Sequence, residues 1–229
     1  MSKRNLRPLT VLTLISVMSA ITALIVTFVQ AQSGASQTKD VSRSQQKTLR
    51  DLAKERDVEL STSDEFETEL TDLRSSAQSS STIVVGRIAE AKTSFTESGE
   101  FIVTNYLVQI QRVLKDMPSS DATLLGKAPA PPLTDTLTIT RLGGDVRVNG
   151  NRASIKVKGH ESLKAGGAYV FFLNWSSDHK SYILTGGISG VVLVKDNLRV
   201  EPLASAETIA RKYSDTDLES FINEVLKLY

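Results

Sequence analysis

Thr82-Ile-Val-Val-Gly-Arg-Ile-Ala-Glu-Ala-Lys92, a turn at Thr96-Glu97-Ser98-Gly99, and a second run from Glu100 to Lys115 read together as one long β-hairpin. In the second run Tyr106, Val108 and Ile110 alternate with Gln109 and Gln111, so one face is buried and the other wet. Gly86 interrupts the first run and suits a bulge or a sharp bend. The same short-strand grammar continues downstream. Leu137 to Leu142 alternates and stops at Gly143-Gly144. Val146 and Val148 then lead into Asn149-Gly150, a strong two-residue hairpin signal, and Arg152 to Lys158 is the returning strand. Gly166-Gly-Ala-Tyr-Val-Phe-Phe-Leu173 is a turn followed by a core strand. Further short strands fall at Tyr182 to Thr185, Ile188 to Lys195 and Leu198 to Val200. Serial strands joined by tight turns predict a mainly β fold, an antiparallel barrel or a sandwich, over residues 82–200. Lys127-Ala-Pro-Ala-Pro-Pro132 cannot lie in a central strand, because proline lacks the donor N–H, and reads as a surface excursion.

The flanks are helical or polar. Residues 32–81 read as a polar linker and helical stretch. A helix is expected within Ser44 to Asp57, and a second from about Asp64 to Ala77, where Phe66, Leu70, Leu73 and Ala77 share a face and Thr62 and Glu65 have capping-box spacing. Residues 201–229 carry two helices. In the last, Leu218, Phe221, Ile222, Val225, Leu226 and Tyr229 form an apolar stripe, with Ser214 and Asp217 at capping-box spacing before it. Such a stripe normally packs on the domain core; a docking helix is the functional alternative.

Residues 1–31 carry an address. Lys3, Arg4 and Arg7 precede an uncharged run from Leu9 to Val29, and Val29-Gln30-Ala31 is a small-x-small cleavage site. This order predicts a secretory signal cut after Ala31. The alternative is an uncut anchor whose residues 9–29 cross the membrane. Either reading places the folded part outside the cytoplasm, and the absence of Cys fits a bacterial envelope.

The chain of 229 residues has a formal net charge of +1, which argues against a nucleic-acid partner. Without Cys, thiolate metal sites and Cys nucleophiles are excluded. No phosphate loop, nucleophile elbow or paired-His metal spacing is present, so no catalytic residue, cofactor or metal is expected. The binding candidates are Trp175 at a strand end, which can stack on a sugar ring or anchor a protein contact, and His160 and His179 in turns beside Glu161 and Asp178.

Ile83-Val-Val-Gly-Arg-Ile88, Tyr106-Leu-Val-Gln-Ile-Gln-Arg-Val-Leu-Lys115 and Gly166-Gly-Ala-Tyr-Val-Phe-Phe-Leu173 together resemble the core of uncharacterised exported bacterial proteins. The β-domain of those proteins is similar to the OB-like barrel of netrin and tissue-inhibitor-of-metalloproteinase modules. The resemblance covers roughly Thr82 to Val200 and implies an OB-like barrel. The eukaryotic modules use an N-terminal Cys against a metalloproteinase, and a Cys-free chain cannot do so. The function expected is therefore a non-enzymatic envelope protein that binds a protein or polysaccharide partner. A hydrolase with a loop-borne site and a tethered structural module are the alternatives.

Overall fold

The computed structural model describes residues 47–63, 72–117, 129–158, 162–203, 209 and 212–229. Its framework is the hairpin of β2 (Thr82–Phe95) and β3 (Ile102–Asp116), paired from Thr82↔Asp116 to Phe95↔Ile102. The register slips between Val85 and Gly86, where the bend was expected. A side chain has no room there: a Cβ on Gly86 would lie 2.5 Å from Val108 Cγ1 and 3.0 Å from the Gln109 carbonyl oxygen.

β4 (Thr136–Leu142) pairs with β3. β7 (Ala168–Ser176) pairs with β2 on its other edge. β8 (Ser181–Leu184) then bonds both β7 and β4, so the pairings β7-β2-β3-β4-β8 return to β7. Two features depart from the simple antiparallel barrel expected. First, β7 is shared. Its Ala168–Phe171 half pairs with β9 (Val191–Val194), which continues the sheet through β10 (Arg199–Pro202) to β11 (Thr216–Asp217). Second, the β4–β8 contact is parallel and consists of one pair, Ile139↔Tyr182. The reason is the path of the chain. It leaves β4 into β5 (Gly144–Val148) and β6 (Asn151–Lys158), returns as β7 beyond β2, and reaches β4 again through the β7–β8 hairpin.

The β5–β6 hairpin turns at Asn149 (φ 51°) and Gly150 (φ 90°), the two left-handed positions a type I′ turn requires. It belongs to a separate three-stranded sheet, in which β1 (Val58–Ser63) pairs with β6 in parallel. β1 lies in the stretch expected to be linker and helix, and no alternation announced it. α1 (Leu49–Glu55), capped by Thr48, closes this sheet: Leu49 and Ala53 pack with Ala153, Ile155 and Val157, and with Ile102. The Arg50 N–H donates to the Gly99 carbonyl oxygen at 3.0 Å and ties α1 to the β2–β3 turn.

The second helix, α2, runs from Leu73 to Ser79 and starts later than expected. Its cap is Asp72, whose carboxylate accepts from the Ser75 N–H at 2.8 Å. Residues 64–71, including Phe66 and Leu70, lie outside the described residues, as does most of the Ser205–Lys212 stretch. α3 (Leu218–Leu226) is capped by Asp217 itself, accepting from the Ser220 N–H, and not by Ser214. Phe221, Ile222 and Val225 are buried against Leu73, Ala77, Val85, Phe172 and Val192, so the stripe packs on the sheet. Leu226 and Tyr229 are exposed, although the Tyr229 hydroxyl donates to the Leu114 carbonyl oxygen at 2.5 Å.

Gly86→Ala is expected to cost about 1–3 kcal/mol in urea unfolding, because Val108 and the β3 backbone must give way. Gly150→Ala, with nothing within 4 Å, meets only the strain of its positive φ and should cost less.

Candidate functional site

The circuit of strands is sealed least well between β4 and β8, and a groove of about 230 Å³ lies beside that seam. Thr136, Leu137 and Thr138 of β4 form one wall, Trp175, Ser181 and Tyr182 of the β7–β8 hairpin the other, and Pro131–Thr134 a third. The local sequence explains the arrangement. Trp175 and Tyr182 face each other directly across the hairpin, and Ser177–Lys180 turns between their strands. Their rings meet edge to face, centroids 5.3 Å apart. The proline-rich segment cannot join the sheet through its own N–H groups. It is held at its end, where the Asp135 carbonyl oxygen accepts from the Ile110 N–H at 2.8 Å and the Thr134 hydroxyl donates to the Thr136 carbonyl oxygen at 3.0 Å. Leu133 packs onto the interior cluster while Pro131 and Pro132 remain exposed.

Three polar atoms of residues lining this groove are buried without a hydrogen-bond partner among the described residues, Trp175 Nε1, Ser181 Oγ and the Tyr182 hydroxyl. Buried polar groups are nearly always bonded, and leaving one unmade costs about 1–3 kcal/mol. Ser181 is only 3% exposed, so its hydroxyl is out of reach of bulk solvent. Burial raises the Tyr182 phenol above its ordinary range, and the Thr82 hydroxyl pulls against that rise. Among the described residues, no ionisable acid or base lines the groove apart from that phenol.

The three candidates taken from sequence are not brought together. Trp175 is in the groove. His179 is exposed on the β7–β8 turn, where its backbone N–H donates to Ser176 Oγ at 3.4 Å, and it does not line the groove. His160 lies outside the described residues. Among the described residues no group of three or more His, Asp or Glu is placed to hold a metal, and no helix is long and apolar enough to cross a membrane. The run Leu9–Val29 lies outside those residues. Sequence reasoning missed Ser181, Tyr182 and the proline wall as parts of one site. The signal available was the spacing of Trp175 and Tyr182 about a short polar turn, which puts both rings on one face of a hairpin.

Neither the protein-family models nor the curated proteins compared with this chain contain a match.

A groove kept for a ligand should be costly to the apo protein. Ser181→Ala removes an unbonded buried hydroxyl, so thermal or urea unfolding should show equal or greater stability, by up to about 1 kcal/mol. A loss of more than that would mean Ser181 is satisfied by the fold.

Proposed function

We propose that this chain is a non-enzymatic exported or membrane-anchored envelope protein whose β-domain binds a neutral polymer, one sugar ring of which seats in the Trp175 groove. The carrying observation is the pairing of an aromatic wall with unbonded buried donors: Trp175 and Tyr182 beside Trp175 Nε1 and Ser181 Oγ. A sugar ring has an apolar C–H face that suits an indole and a rim of hydroxyls that both donate and accept. The groove supplies the complement, with Thr134, Thr136 and Thr138 near the aromatic pair and no fixed charge among the described residues of its walls. At about 230 Å³ it is smaller than the usual pocket for a whole small molecule, which fits one unit of a longer chain. We read the five-strand circuit, with its parallel β4–β8 contact, as OB-like, and OB-like barrels bind oligosaccharides. That supports the reading by architecture alone, since fold does not fix function.

Trp175 is the single Trp of the chain, so its emission reports on the groove without interference. Titration with neutral oligosaccharides of three to six units should shift or quench that emission saturably, and Ser181→Ala should weaken the affinity about tenfold while the protein stays folded. No response to any neutral glycan, together with a protein recovered on a Trp175-dependent pull-down, would replace the polymer by a protein partner. For the address, N-terminal sequencing of the exported protein should read Gln32 first; Met1 or Ser2 would leave the anchor.

A further inference from the structure

Among the described residues, Trp175 Nε1 and Ser181 Oγ are buried without a hydrogen-bond partner, and Ser181 is 3% exposed. The Tyr182 hydroxyl, the third such atom, has the Thr82 hydroxyl acting on it. That leaves the indole N–H and the Ser181 hydroxyl as the atoms for a ligand to complete. An indole N–H can only donate, whereas a hydroxyl donates and accepts. The pair therefore calls for a strong acceptor with a donor beside it. One hairpin carries both residues: Trp175 is paired across it with Tyr182, and Ser181 precedes Tyr182 in β8. The edge-to-face contact of the Trp175 and Tyr182 rings holds the indole in place.

The surroundings of these two atoms are apolar. Pro131, Pro132, Leu133 and Leu137 line the groove with the two rings. Leu133 and Trp175 pack on the interior cluster to which Leu137 belongs. A hydroxyl set against such side chains loses its water and gains no partner, which is costly. A plain hexose has hydroxyls all round its rim, and they stand directly on the ring. An acetamido group differs on each count. Its carbonyl oxygen has two lone pairs and sits at the end of an arm, so it can reach in to atoms that solvent does not touch. Its N–H lies next to that carbonyl. Its methyl group is apolar and suits a wall of proline and leucine. Thr134 and Thr136 are exposed, so ring hydroxyls beside them keep water or a threonine hydroxyl as partner.

We propose that the polymer unit seated in this groove is an N-acetylated amino sugar, its acetamido carbonyl accepting from Trp175 Nε1, its amide N–H donating to Ser181 Oγ, and its methyl group on the proline and leucine wall. This rests on the sugar-binding reading of the groove and narrows it to one class of polymer. The test uses the full chain and the emission of Trp175, with two trimers of the same linkage as probes, chitotriose (N-acetylglucosamine units) and cellotriose (glucose units). Chitotriose should bind at least about tenfold tighter than cellotriose. Ser181→Ala should weaken chitotriose about tenfold and cellotriose by less than about threefold, so that the preference collapses. Equal affinity of the parent chain for the two trimers, or tighter binding of cellotriose, overturns the acetamido assignment and leaves the sugar-binding reading standing. A preference undiminished in folded Ser181→Ala overturns the assignment too. If Ser181→Ala does not fold, the parent chain's comparison decides alone. Emission unmoved by chitotriose overturns the assignment, and emission unmoved by every neutral glycan overturns the sugar-binding reading with it.

Discussion

β7 must be apolar on both faces, and the remainder of the architecture follows from that. Tyr169, Phe171 and Leu173 point into the strand circuit, where they meet Val84, Val108, Ile139 and Leu184. Val170 and Phe172 point the other way, beneath α2 and α3. Phe171 and Phe172 are 0% and 1% exposed, and burying such a side chain stabilises by roughly 1.5–3 kcal/mol. A strand that satisfies two cores needs cover on two sides. The closed circuit supplies one cover and the C-terminal helix the other. β2 shares the burden, with Ile83 and Val85 under the helices and Val84 and Ile88 inside.

The same demand explains where the structure is weak. β7 gives one half of its free edge to β9 and the other half to β8, so β8 has only four residues with which to reach β4. One pair, Ile139↔Tyr182, closes the circuit. On one side of that pair the strands diverge around Trp175, and further along β4 the interior gives way to Arg141. The Trp175 groove is lined where the β4–β8 pairing has run out.

The long hairpin was legible in the sequence because each of its strands states its own periodicity: Tyr106 and Val108 are buried while Leu107 and Gln109 are exposed. Asn149-Gly150 fixed its turn for the same local reason. β1 was illegible because Val58–Ser63 owes its state to β6, a partner far away in the chain, and carries only Val58 and Leu60 as apolar residues. Thr62 belongs to that strand, paired with Val157, and the rest of the Thr62–Glu65 capping pattern lies outside the described residues. Trp175 could be picked out as a lone aromatic at a strand end. Its companions could not, since Ser181 and the prolines acquire meaning only once the hairpin and the excursion fold over the same spot. Arg141 looked like an ordinary alternating strand residue, and only the burial of its neighbours on the same face makes it unusual.

Local rules that fail in a structure mark the places where something other than folding sets the sequence. Among the described residues they fail at four points. Ser181 Oγ, Trp175 Nε1 and the Tyr182 hydroxyl are buried without a hydrogen-bond partner, and Arg141 occupies a position that the pattern of β4 reserves for an aliphatic side chain. Val or Leu at 141 and Ala at 181 would suit a protein selected only for stability. The cores around β7 are well enough filled to carry these costs, because the exceptions sit at the rims of the strand circuit and not under Phe171 or Phe172. That separation suits a β scaffold: a fully apolar centre under β7, with the polar exceptions kept at its edges.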